Sequence, residues 1–137
     1  MAIKQLTVFV ENRRGRLAEI TGMLAEHGIN MNALSIADTQ EFGILRLIVD
    51  DPEKAFDVLK GNGTIVQITD VVGLKLADRP GELSKALRAL DGGGINLEYL
   101  YAFLSRADEN AYIALRVEDN AAAERVLNAA GFKTIGG

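Results

Sequence analysis

NRRGRLAEITGMLAEHGINMN (residues 12–32) and DRPGELSKALRALDGGGINLE (residues 78–98) are one framework written twice. Gly15 aligns with Gly81, Leu17 with Leu83, Leu24 with Leu90, and Gly28-Ile29-Asn30 with Gly94-Ile95-Asn96, each pair 66 positions apart (81 minus 15). Each copy reads as a strand, a polar loop with glycine, an amphipathic helix, a second glycine and another strand. Each therefore carries one loop-to-helix junction.

Working outward from the first copy, residues 5–10 alternate, with Leu6, Val8 and Val10 on one face and Gln5, Thr7 and Phe9 on the other, the period of a half-buried strand. Leu17, Ile20, Thr21 and Leu24 recur at helical spacing and are expected to form one buried stripe. His27 and Gly28 should end that helix, glycine supplying the left-handed cap. Residues 30–38 and 43–50 read as strands around a turn at 39–42, Asp51-Pro52 opens a helix with Ala55, Val58 and Leu59 inward, and residues 64–69 form a fourth strand. The order is βαββαβ.

The second copy follows without a linker. Val72, Leu74 and Leu76 stand 66 positions beyond Leu6, Val8 and Val10, and Gly73 among them suggests a bulge. A helix over residues 80–90 carries Leu83, Ala86, Leu87 and Leu90 inward. The strand over residues 96–104 puts Tyr99, Tyr101 and Phe103 where the first copy has Ala33, Ser35 and Ala37. After a turn at 105–110, residues 112–117 form a strand, Asp119 caps a helix carrying Ala123, Val126 and Leu127, and residues 132–135 close the unit. Two domains are expected, 1–70 and 71–137.

At 137 residues, 48% hydrophobic and 25% charged, the composition is that of a globular protein. A net charge of −4 and a pI near 5.0 disfavour nucleic acid. No cysteine is present, which excludes disulfides and thiolate sites and fits a reducing compartment. The apolar run at the N-terminus is too short for a signal peptide or a membrane span, so a cytoplasmic protein with no membrane association is expected. His27 is the one histidine and reads as a helix end, not a metal ligand. Asp50, Asp51 and Glu53 are not read as a metal site, because a capping Asp and a first-turn Glu account for two of the three. No nucleophile, base and orienting group stand together, which argues against an enzyme. No cofactor is expected.

The junctions are where binding is expected. A helix begins with unpaired N–H groups and partial positive charge, which makes Arg14-Gly15-Arg16-Leu17 and Pro80-Gly81-Glu82-Leu83 natural sites for a carboxylate. The spacing is not that of a phosphate loop. Asn30 and Asn32 offer carboxamides for the second charged end of an amino acid. Arg13, Arg14 and Arg16 place three cations in four positions of an acidic protein.

The βαββαβ order, the loop Asp78-Arg79-Pro80-Gly81-Glu82-Leu83 and the Gly-Ile-Asn strand start resemble the ACT domain, over both halves of the chain. The first loop departs from that pattern, with Asn12 for the acid and Arg14 for proline. The resemblance implies an α+β fold of two ferredoxin-like βαββαβ sandwiches, tandem ACT domains with antiparallel sheets and helices on one face. It also implies an amino acid or similar small carboxylate as ligand, sites where ACT units pair, and a free-standing regulatory pair forming a homodimer. The expected ligand-binding residues are Asn12, Arg13, Arg14, Gly15, Arg16, Leu17, Asn30, Met31 and Asn32, and in the second copy Asp78, Arg79, Pro80, Gly81, Glu82, Leu83, Asn96, Leu97 and Glu98. Because those loops differ in charge, unequal binding is expected. Two other functions fit the same topology: a ligand-independent interaction or regulatory subunit of an amino-acid-metabolism enzyme, and RNA binding through sheet aromatics. The latter ranks last, because the aromatic stripe lies on the second strand and the charge is negative.

Overall fold

The computed structural model describes residues 3–38, 41–104 and 108–136. Its elements run β1 (Ile3–Glu11), α1 (Arg16–Glu26), β2 (Met31–Asp38), β3 (Phe42–Val49), α2 (Pro52–Gly61), β4 (Val66–Ala77), α3 (Glu82–Gly92), β5 (Leu97–Ala102), β6 (Asn110–Val117), α4 (Asn120–Ala129) and β7 (Lys133–Ile135). Residues 39–40 and 105–107, on which parts of the two expected turns fall, lie outside the described residues. Contacts divide the chain into two compact units, Lys4–Thr69 and Met1–Ile3 with Asp70–Gly137.

In the N-terminal unit the strand order is β2-β3-β1-β4. β1 and β2 both run antiparallel to β3, with Leu6 opposite Leu47 and Leu34 opposite Leu47 on its other side. The C-terminal unit repeats this order as β5-β6-β4-β7. Each is the split βαβ arrangement of a ferredoxin-like sandwich. The sequence divides the join into two strands, but β4 is continuous from Val66 to Ala77.

Each unit has its own core beneath its helices. In the first, Leu6, Val8 and Val10 meet Ile20, Leu24, Leu45, Leu47, Ala55 and Leu59. In the second, Val72, Leu74 and Leu76 meet Ala86, Leu90, Leu115, Ala123 and Leu127. Fully burying one such side chain contributes about 1.5–3 kcal/mol.

The bulge expected at Gly73 is absent. Gly73 sits in unbroken register, opposite Ala114 on β6 and Ile135 on β7, and forms no bulge. Its missing side chain matters because a Cβ there would lie 2.4 Å from Ile135 Cγ1 and from Ile3 Cδ1. The bulges lie instead at Asn32 and Glu98, where the register with β3 and β6 shifts. One extra residue reverses the alternation. Met31 and Leu34 can therefore both pack on the first core, as Leu97 and Leu100 do on the second.

Candidate functional site

Both junctions are built by the same backbone bonds. Arg13 N–H donates to the Glu11 carbonyl (2.8 Å) and Arg16 N–H to the Arg13 carbonyl (3.3 Å). Sixty-six positions on (79 minus 13), Arg79 N–H donates to Ala77 (2.9 Å) and Glu82 N–H to Arg79 (3.3 Å). Gly15 and Gly81 are the helix N-caps, at φ 83° and 88°, values that L side chains rarely adopt. A Cβ at either would meet nothing within 4 Å, so backbone angle and not crowding explains these glycines.

Helix starts in this protein come in two kinds. At α2 and α4, Asp51 accepts from Lys54 N–H (3.2 Å) and Asp119 from Ala122 N–H (3.1 Å), the usual side-chain cap. At α1 and α3 the glycine N-caps offer no side-chain bond. The N–H groups of Leu17 and Ala18, and of Leu83 and Ser84, have no backbone acceptor among the described residues. These donors lie at the positive end of a helix dipole.

Side chains distinguish the two. Arg16, one of the expected ligand residues, is 6% exposed, donates from Nη2 to the Thr64 hydroxyl (2.9 Å) and pairs with Glu11 (3.1 Å) and Glu19 (3.3 Å). Arg13 holds Glu19 through two hydrogen bonds of 3.1 and 3.0 Å. That contact, more than any other, keeps the Glu19 carboxyl below its ordinary range. Arg14 is exposed. In the second loop Glu82 takes Arg16's place, paired with Lys85 (3.1 Å) and Arg79 (3.6 Å). Hydrogen bonding from Lys85 is the leading reason its carboxyl is depressed. Residues 11–19 thus hold three cations against two carboxylates, and residues 77–85 hold two against two.

The buried stripe of α1 is consequently Arg16, Ile20 and Leu24. Leu17, expected inward, is exposed, and the Thr21 hydroxyl returns to the Leu17 carbonyl (3.0 Å). Leu17 lines a cavity of about 140 Å³ together with Val10, Glu11, Asn12, Arg13, Ile36 and Gly43. Sequence reasoning missed Val10, Glu11, Ile36 and Gly43. Ile36 gave the available signal, a large aliphatic near the end of an edge strand.

The Gly-Ile-Asn segments close helices. Gly28 N–H donates to Ala25 (3.0 Å) and Ile29 N–H to Leu24 (2.9 Å), and Gly94 and Ile95 do the same to Asp91 and Leu90 at 3.0 and 2.9 Å. This is the Schellman pattern, with Gly28 at φ 69° and Gly94 at 74°. Beyond it, Asn30 N–H donates to the Asp50 carboxylate (3.1 Å) and Asn30 Nδ2 to Asn32 Oδ1 (3.0 Å).

The asparagines are not beside the loop of their own unit. Glu11, where that loop begins, faces Phe42, whereas Met31 faces Val49, seven residues along β3 (49 minus 42). At ~3.3–3.4 Å per residue that is ~23 Å, too far for one α-amino acid to reach both. Thus residues 12–17 come together, as do residues 78–83, and each Gly-Ile-Asn strand start (30–32 and 96–98) stands at the far end of its sheet.

The helix end read at His27 holds. His27 caps α1, its Nδ1 2.8 Å from the Met23 carbonyl. Glu53 pairs with Lys4, and no metal-binding group of three residues occurs among the described residues. No described helix is long and apolar enough to cross a membrane.

Comparison with known proteins gives a consistent result. The family described as "ACT domain pair" matches residues 1–133. Protein BT0572 from Bacteroides thetaiotaomicron is 41% identical, over 98% of this chain and 92% of that one, with a TM-score of 0.92. The regulatory subunit of aspartate kinase from Thermus thermophilus shares the fold at 19% identity and TM-score 0.68, over 93% and 91% of the two chains. A search of curated proteins finds no match.

Proposed function

The chain belongs to the ACT domain pair family, and from that premise we propose that it is a non-catalytic regulatory protein that binds an amino acid or similar small carboxylate at its strand-to-helix loops. The observation that carries this reading is the contrast between helix starts. At α2 and α4 an aspartate side chain takes the third N–H of the helix, while at α1 and α3 the glycine N-caps supply no such bond and the corresponding N–H groups, of Ala18 and Ser84, have no backbone acceptor among the described residues. Open donors at a helix start favour a carboxylate. The ligand ammonium is met from outside the Gly-Ile-Asn segment of the same unit, given the ~23 Å that separates them.

Residues 12–17 and 78–83 are the primary proposed contacts. Asn30, Met31 and Asn32, with Asn96, Leu97 and Glu98, belong to the proposal as the far-end set. The domains are taken as 1–70 and 71–137, the assembly as a homodimer and the compartment as cytoplasmic. The regulatory assignment accords with the fold shared with an aspartate kinase regulatory subunit.

A thermal-shift screen against the twenty amino acids tests the proposal. A ligand present at ~100 times its dissociation constant stabilises the fold by about 2.7 kcal/mol, a clear rise in midpoint. If none of the twenty raises it, the reading fails. A second reading, a ligand-independent subunit of a metabolic enzyme, is favoured by the partly exposed Phe42 and Ile65 beside an apolar hollow of about 300 Å³ that Phe9 also lines. Co-purification of an enzyme with no response to any amino acid would support it.

A further inference from the structure

We infer that the N-terminal junction selects an α-amino acid with an apolar side chain of branched-aliphatic or aromatic size, seated in the cavity beside Leu17. The inference rests on the reading that this junction binds an amino acid, and adds which class.

Three features of the cavity point this way. Leu17 and Ile36 are 37% and 46% exposed, and both line the same hollow of about 140 Å³ with Val10. An apolar cavity of ~150 Å³ accommodates a benzene-sized group, so the volume suits one such side chain. Gly43 forms part of the wall, and a Cβ there would already stand 3.4 Å from Ile36 Cδ1. A larger residue at that position would crowd Ile36.

Glu11, Asn12 and Arg13 supply the polar part of the lining. The Glu11 carboxylate at the rim already pairs with Arg16 (3.1 Å) and Arg13 (3.6 Å), yet its side chain stays 59% exposed, so an ammonium can join it. Leu17 turns its side chain to the cavity and has its N–H in the open first turn of α1. One residue thus touches the proposed carboxylate position and the apolar wall together. The C-terminal unit has Ala102 where Ile36 stands and Ala77 where Glu11 stands, and Leu83 packs against its own core. Apolar selectivity is therefore a property of the first junction alone.

Calorimetric titration of the full chain with leucine, phenylalanine, alanine and serine tests this, repeated on Ile36→Ala, with circular dichroism to verify folding of the variant. Leucine or phenylalanine should bind on the order of tenfold more tightly than serine, and Ile36→Ala should weaken it on the order of tenfold while leaving alanine unchanged. Tighter binding of serine, or an unchanged affinity for leucine in Ile36→Ala, overturns the side-chain assignment while leaving amino-acid binding intact. Failure of every amino acid to bind removes the underlying reading, and this inference with it.

Discussion

The two junctions share a backbone and differ in charge. Gly15 and Gly81 take the same left-handed angle, and the hydrogen bonds around them correspond donor for donor. Yet the first helical residue is a buried arginine in one and a glutamate in the other. Backbone N–H groups can receive a carboxylate whatever the side chains are. The loops have diverged in what surrounds that position, so one scaffold can carry two affinities.

Arg16 and Glu82 offer the sharpest way to break the comparison. Arg16→Ala leaves Thr64, Glu11 and Glu19 without their common partner. Because both carboxylates remain half in water, the cost should be about 2–3 kcal/mol, below the ~3–5 kcal/mol for a fully buried pair. Glu82 is itself 13% exposed, but its partners Arg79 and Lys85 are 69% and 68% exposed and return to water when it is removed, so Glu82→Ala should cost less than Arg16→Ala. Urea unfolding of both variants checks the difference, and equal losses would mean that Arg16 is not the anchor described.

Next in size is the change that would make the second unit copy the first. Gly73 stands where the first copy has Thr7, and Gly73→Thr drives a side chain into Ile135 and Ile3. We expect a loss of roughly 1–3 kcal/mol from overpacking, read as a lowered urea midpoint. An unchanged midpoint would show that β4 and β7 part easily.

Gly15→Ala and Gly81→Ala test the shared backbone. A left-handed angle costs an L-residue roughly 1–2 kcal/mol, and the angles agree within a few degrees. Equal destabilisation but unequal loss of ligand affinity is the expected pair of results. Unequal destabilisation would show that the loops are not equivalent even before ligand binds.

The smallest effect is acid sensitivity. Glu19 and Glu82 are both depressed, and Asp108 is pushed down to about 2, chiefly by the Asn110 backbone N–H and then the Tyr112 hydroxyl. A depressed carboxyl stabilises the fold above its unfolded value, and that contribution is lost as pH falls through the folded value. Stability should therefore drop below the ordinary carboxylate range, and less steeply in Glu19→Gln than in the parent. Glu19 and Asp108 are solvated and Glu82 pairs with exposed cations, so the change should be slight.

The glycines were the most legible part of the fold. Gly15, Gly28, Gly81 and Gly94 all take positive φ, a demand that leaves a repeated mark in sequence. Asp51 and Asp119 were legible as caps for a similarly local reason. Arg16 was not, because one of its partners, Thr64, lies 48 residues away and no periodic pattern signals it. Counting the helical stripe from Leu17 also displaced the buried face by one residue. The bulges at Asn32 and Glu98 carry no compositional mark, and the meeting of Ile36, Gly43 and Leu17 depends on strand pairing that spacing alone does not specify. Asn30 and Gly15 are close in sequence but face opposite ends of the sheet, since β1 and β2 run in the same direction on either side of β3.

The most direct measurement is a titration followed by amide NMR, using leucine on uniformly ¹⁵N-labelled protein. The amides of Leu17 and Ala18 should shift first, and those of Leu83 and Ser84 should need a higher concentration. Shifts of equal midpoint at both loops, or shifts that spare both, would contradict the account.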